Sequence, residues 1–347
     1  MAGRVAAGAA ARSRRAPADP EALVATAQAG DQRAVARLVS LVEDAALSGG
    51  SSLRAAPPPS LPQVEQLRRV ATVIAPMTGK AHVVGLTGSP GVGKSTVTSA
   101  LVRKFRDQDL RVGVLAVDPS SPFSGGALLG DRVRMQDHAT DDQVFIRSMA
   151  SRGRLGGLAW ATPQALRILD AVGFDIVLIE TVGVGQAEIE IASLADSCLV
   201  VVAPGLGDSI QAAKAGILEI GDVFVVNKND RPGAQEVIRD LRTMLAMASY
   251  GPGDWRPPIV SASAASGDGI AELTAAIEKH RGWLAESGQL TSRRVARARE
   301  EISAIAIAEL RQRMGGLPGE SRLDELAEEV TGGRLDPYAA ADELISG

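Results

Sequence analysis

Seven short apolar runs punctuate the chain from residue 81 onward: AHVVGLTG, RVGVLAVD, QVFIRSM, DIVLIET, SCLVVVAP, DVFVVNK and PPIVSAS. Segments of helical spacing separate them. Uninterrupted Val, Ile and Leu over this length suit strands covered on both faces. Strands alternating with helices imply crossover connections, and so parallel pairing. The expected fold class is therefore α/β, with a mainly parallel, doubly wound sheet running to about residue 282. A chain of 347 residues, 45% of them apolar, holds one such domain plus smaller appendages.

The flanks read as helical. Leu23, Val24, Ala27, Val35, Leu38, Val39 and Val42 recur at helical spacing and predict one helix over 20–46. A Gly, Ser and Pro-rich linker (48–62) and a second helix (63–76) follow. Near the C-terminus, residues 292–314 predict a helix with Val295, Ile302, Ile305 and Leu310 on one stripe. The break GGLPGE and two short helices, 322–331 and 336–346, come after it. The expected organisation is a disordered extension (1–19), an N-terminal helical segment (20–80), the sheet domain (81–282) and a C-terminal helical extension (283–347). The stripe could be covered by the chain's own domain or by a second copy.

Composition excludes several classes. The net charge of −4 leaves no electrostatic footprint for nucleic acid or an anionic membrane. No run of 18 apolar residues suggests a membrane span. The single cysteine, Cys198, forbids an internal disulfide framework and reads as a buried strand residue. His82, His138 and His280 lie far apart, without metal-ligand spacing. The first 19 residues are Arg- and Ala-rich, as in a mitochondrial transit peptide. The arginine bias is chain-wide, however, with six lysines against 31 arginines. Bacterial cytoplasm is the expectation, with the mitochondrial matrix the alternative.

GSPGVGKST, following the first run and opening a helical segment, matches G-x-x-x-x-G-K-[ST]. In this strand–loop–helix context the pattern is a phosphate cradle. Its glycines let backbone N–H groups turn inward at a helix N-terminus. The phosphate-binding set is Gly88, Ser89, Pro90, Gly91, Val92, Gly93, Lys94, Ser95 and Thr96. Lys94 supplies charge to the β- and γ-phosphates, and Ser95 a hydroxyl to Mg²⁺. Carboxylates must complete the Mg²⁺ site. Asp118 and Glu180 fall at strand ends, which open on the ligand crevice of such sheets. Asp131, in a Gly-rich loop, is a third candidate. The fold is thereby specified as a P-loop NTPase.

NKND follows the sixth run. Asp230 can accept hydrogen bonds from N1–H and the N2 amine of guanine, donors that adenine lacks. Lys228 would cover one face of the base, and Asn227 would tie the loop to the phosphate cradle. VSAS, with Ser261, Ala262 and Ser263, is the companion loop. The nucleotide is expected to be GTP, with GDP as product. In ETVGVGQ, Glu180 precedes a Gly183 free to meet the γ-phosphate. The next residue, Val184, cannot position water as the Gln of Ras-like proteins does. Gln186 stands two positions on. Slow intrinsic hydrolysis that depends on a partner is the expectation.

Taken together, GLTGSPGVGKST, DPSSPFSGGALLGDRVRM, ETVGVGQAEIEI, APGLGDSIQAAKAGILEI and VNKND closely resemble the MeaB/ArgK-type G-proteins. The resemblance runs from about residue 20 to the C-terminus. It implies a GTPase that binds adenosylcobalamin-dependent methylmalonyl-CoA mutase, gates cofactor delivery and protects the mutase. It also implies a homodimer built through the C-terminal helices. On this resemblance Asp118 begins switch I, Asp131 sits near Mg²⁺ and Arg134 near the γ-phosphate. Residues 180–190 form switch II, and 205–217, with Lys214, a further switch facing the mutase. The catalytic candidates are then Lys94, Glu180, Gly183, Arg134 and Lys214. The alternatives are a kinase or ATPase acting on a small molecule or transport protein, a metallochaperone GTPase, and a clamp that binds GTP without hydrolysing it.

Overall fold

The computed structural model describes residues 19–47, 61–119, 138, 140–151, 161–181, 187–205, 218–315 and 319–346. Within them, seven strands form one parallel sheet in the order β3-β2-β4-β1-β5-β6-β7. These are β1 (His82–Thr87), β2 (Val112–Pro119), β3 (Val144–Ser151), β4 (Ile176–Thr181), β5 (Ser197–Val202), β6 (Val223–Val226) and β7 (Ile259–Ser261). Each apolar run of the sequence supplies one strand. β1, β4 and β5 are buried along their whole length, as strands covered on both faces must be.

Alternate residues feed different layers. Val83, Leu115, Val177 and Ile179 point to a core shared with the N-terminal helices, α5 (Thr162–Ala171) and α6 (Ala187–Leu194). Val84, Leu86, Val114, Leu178, Leu199 and Val225 point the other way. There they meet α4 (Lys94–Arg106) and α8 (Ile270–Glu286). A further cluster joins β5 and β6 to α7 (Ala234–Leu245). Cys198 is buried on β5, and burial pushes its thiol pKa far up.

The helix expected over 20–46 is two helices, α1 (Pro20–Gln28) and α2 (Gln32–Leu47). Gly30 adopts φ +98° and ends the first. Asp31 then caps the second, its Oδ1 accepting from Arg33 N at 2.8 Å and Ala34 N at 3.3 Å. A left-handed glycine followed by an Asp cap is a stop and a start that overrides continuous apolar spacing. α3 (Leu61–Ile74) leads through a 3-10 turn into β1.

At the other end, α9 (Gln289–Gly315) is followed by α10 (Gly319–Thr331) and α11 (Pro337–Ser346). The apolar stripe of α9 faces outward: Val295, Ile302 and Leu310 are 46%, 66% and 55% exposed. The helix docks on the sheet domain by its arginines instead. Arg293 pairs with Asp222, while Arg294 and Arg297 pair with Asp196.

Candidate nucleotide site

The phosphate loop leaves β1 at the centre of the sheet and enters α4. Parallel sheets of this kind bind ligands where strand order reverses, beyond the strand ends. Gly88 has φ +135°, and a Cβ there would stand 2.1 Å from the Val201 carbonyl oxygen. Gly93 has φ +95° and would meet Asn227 Nδ2 at 2.5 Å. Only glycine fits either position, so the loop can wrap tightly. Lys94 is 6% exposed, and its Nζ donates to Gly88 O at 2.6 Å and Ser89 O at 3.2 Å. The ammonium therefore already lies inside the loop. Val92 is buried, while Pro90, Gly91 and Thr96 are exposed at the rim.

Ser95 Oγ donates to Glu180 Oε1 at 2.5 Å, and both residues are buried. Glu180 sits opposite Leu86 of β1 and Ala116 of β2 in the strand register. A hydroxyl and a carboxylate oxygen at the open end of the sheet are hard donors of the kind Mg²⁺ takes. The residues present fit that ion. Asp118 lies at the end of β2, two positions past Ala116, with its side chain outside the described set. Asp131, Arg134, Gly183, Val184, Gln186 and Lys214 also lie outside the described residues.

The base loop is built against the phosphate loop. Asn227 is 2% exposed, and its Nδ2 donates to Val92 O at 2.8 Å. Its Oδ1 accepts from Ala264 N at 3.1 Å. Lys228 takes the left-handed conformation, φ +58°, and its Nζ reaches Gly91 O at 2.6 Å. Asp230 is exposed beside them and accepts a short hydrogen bond from Ser263 Oγ. That hydroxyl holds the Asp230 carboxyl below the usual carboxylate range, so it is ionised and acceptor-only at neutral pH.

The three residues expected in the companion loop take different places in the structure. Ser263 meets Asp230, but Ser261 and Ala262 do not. Ser261 ends β7, and Ala262 extends its ladder, with Ala262 N donating to Val226 O at 2.9 Å. Ala262 O accepts from Asn229 N at 3.0 Å, so these two residues support the base loop from behind. Ala264, absent from the expected set, supplies the backbone N–H that orients Asn227. The signal was the turn after Ser263. Gly269, φ +76°, lets the chain fold back so closely that a Cβ would stand 2.0 Å from Ser261 O.

Known proteins resemble this chain over most of its length. The family described as methylmalonyl-CoA mutase-associated GTPase MeaB matches residues 60–317. A protein of Pyrococcus abyssi named as a GTPase is 43% identical over 325 residues, covering 93% of this chain and 95% of its own. The mouse methylmalonic aciduria type A homolog, a mitochondrial protein, is 34% identical over 266 residues. That match covers 76% of this chain and 64% of the mouse one. A solved LAO/AO transport system kinase superposes with a TM-score of 0.68 at 24% identity, over 96% of this chain and 99% of its own. At that identity the likeness speaks for the fold.

Proposed function

The chain belongs to the MeaB family of P-loop GTPases, and on that footing we propose that it is a slow GTP switch serving an adenosylcobalamin-dependent acyl-CoA mutase. Methylmalonyl-CoA mutase is the client this reading names, with the switch gating cofactor delivery and protecting the loaded mutase. The observation that carries the nucleotide assignment is the coupling of the two loops through Asn227–Val92 and Lys228–Gly91. It sets an ionised Asp230 at a fixed reach from the phosphate cradle. A carboxylate there pairs with the N1–H and N2 amine of guanine and would be left unpaired against adenine.

Lys94 and the N-terminus of α4 would neutralise the phosphates. Ser95 and Glu180, with Asp118 and Asp131, would hold Mg²⁺, which supplies charge neutralisation between the β- and γ-phosphates. Gly183 and Arg134 are assigned to the γ-phosphate and Lys214 to the client-facing switch. Val184 stands where Ras-like proteins carry a Gln and cannot itself position the attacking water, which is the reason for a low basal rate. The outward stripe Val295, Ile302 and Leu310 supports a homodimer through the C-terminal helices. No helix among the described residues is long and apolar enough to cross a membrane. The chain-wide arginine bias makes the arginines of the first 19 residues weak grounds for a transit peptide, which supports the bacterial cytoplasm over the mitochondrial matrix.

The test is phosphate release from GTP and from ATP, with and without purified methylmalonyl-CoA mutase. The expected result is hydrolysis of GTP below about one turnover per second alone, and a clear rise with the mutase. ATP displacing GTP at equal concentration would overturn the base assignment. No stimulation by the mutase would leave a passive clamp.

A further inference from the structure

We propose that Thr87 and Thr181 hold a shared buried water on the back of the sheet, behind the nucleotide loops.

The strand register puts the two threonines side by side. Leu86 pairs with Glu180, so Thr87 of β1 and Thr181 of β4 are the next pair. Val117 of β2 stands opposite both Thr181 and Met149, and Val200 of β5 stands opposite Thr87. One row across the sheet therefore reads Met149, Val117, Thr181, Thr87, Val200. Partners in such a row point to the same face, and neighbours along a strand to opposite faces. Glu180 points to Ser95 in α4, so Thr181 points the other way. Gly85, two positions before Thr87, marks the same face: a Cβ there would stand 2.7 Å from Ile191 Cγ1 of α6.

Both threonines are sealed, at 0% and 1% exposure, and Met149, Val117 and Val200 beside them are buried hydrocarbon. Valine would fill the same places without a polar atom to bury. Neither Oγ1 has a hydrogen-bond partner among the described residues. Buried threonines in the helices are paired: Thr98 Oγ1 donates to Lys94 O at 3.0 Å and Thr274 Oγ1 to Ile270 O at 2.7 Å. An extended strand brings no carbonyl from four positions back within reach.

A buried hydroxyl left unpaired is costly. A direct bond between the two would still leave one hydroxyl hydrogen without an acceptor. A guest that both donates and accepts satisfies both groups. The row holds no charged side chain, so a charged guest would itself be unpaired. Water has the size and both functions. A third unpaired hydroxyl, Thr162 Oγ1, opens α5 over the same layer, where Ala161 and Ala165 share the core with Val117 and Ile179. α5 has no side-chain cap, so its first amides add donors there. The water ties β1 to β4 directly behind the site: Thr87 precedes Gly88, whose carbonyl holds Lys94, and Thr181 follows Glu180, which holds Ser95.

The experiment compares full-length wild type with Thr87→Val, Thr181→Val and the double variant, by magnetic relaxation dispersion of water and by urea unfolding. Each single variant should lose a long-lived water and unfold at lower urea. The double variant should lose no more than the worse single one, because one water serves both hydroxyls. A higher urea midpoint in either single variant would mean dry hydroxyls whose removal is a relief, and would overturn the proposal. An unchanged water count or fully additive losses would overturn it too. Should a variant fail to fold, a high-resolution crystal structure of the wild type decides. A water within about 3.2 Å of both Oγ1 atoms supports the shared site, and none there overturns it.

Discussion

The Ser95 hydroxyl donates to Glu180 Oε1 at 2.5 Å, joining the first turn of α4 to the end of β4. Two residues 85 positions apart in sequence thus present adjacent oxygens at the mouth of the phosphate loop. Glu180→Gln keeps the shape and the acceptor but removes the charge. The Mg²⁺ concentration needed for half-maximal GTP hydrolysis should rise about 10- to 100-fold. Nucleotide affinity measured in excess chelator should not change. A Mg²⁺ titration of phosphate release checks this, and an unaltered midpoint would remove Glu180 from the metal site.

Asp230 offers a sharper test because its chemistry can be inverted. Asp230→Ala should lower GTP affinity about 10²-fold or more, since a charged, paired acceptor is lost. Asp230→Asn presents an amide N–H₂ where guanine also presents a donor. That variant should lose GTP and gain xanthosine triphosphate, whose carbonyl at C2 accepts. Fluorescent-analogue competition measures both. Retained GTP preference in Asp230→Asn would mean that the base sits elsewhere.

The fold was legible where residue type carries conformation directly. Each all-apolar run became a strand, and GSPGVGKST and NKND landed at the ends of β1 and β6, because buried parallel strands and glycine-rich loops have few alternatives. The order of strands was not legible, since crossovers leave no local mark. The break at Gly30 was written as Gly-Asp but masked by continuous apolar spacing. The docking of α9 was hidden for a deeper reason. Apolar periodicity marks Val295 and Ile302 as the buried face, whereas Arg293, Arg294 and Arg297 bury themselves on Asp196 and Asp222. That arrangement depends on two carboxylates about 70 to 100 positions earlier, as the paired residue numbers show. Which residue of the companion loop meets Asp230, Ser263 and not Ser261 or Ala262, turns on how far β7 extends.

His82 and His280 make acid sensitivity predictable. Ser197 Oγ lies 2.9 Å from His82 Nε2 and 2.7 Å from His280 Nδ1, tying β1, β5 and α8 together beneath the sheet. Asp222 Oδ1 stands 3.3 Å from His280 Nε2, too misaligned for a full hydrogen bond. Burial lowers both imidazoles to about 4, against the pull of Asp196 on His82 and of Asp222 on His280. The folded chain therefore refuses protons that the unfolded chain accepts at its ordinary value near 6.5. Stability should be level above about pH 6.5 and fall by a few kcal/mol as pH drops toward about 4. Burial pushes Asp196 up, but its arginines hold it below the usual range, so its titration falls under this window. Urea unfolding across this range measures the slope. His82→Gln should flatten it, and a slope unchanged in that variant would place the acid sensitivity elsewhere.

The outward face of α9 gives the last prediction. Ile302 is 66% exposed, with Val295 and Leu310 on the same stripe, each two helical turns away. A stripe of exposed Val, Ile and Leu on a long helix whose other face is already docked is the pattern of a helix seated against another. Ile302→Asp should place a charge at the centre of that contact and shift a dimer to monomer at micromolar concentration. Light scattering on the full-length protein reads the mass directly. The substitution is remote from the nucleotide loops and, being exposed in one copy, should leave GDP affinity and monomer fold intact. Wild-type protein that is monomeric at the same concentration would exclude the homodimer. A dimer that survives Ile302→Asp would assign it to another surface.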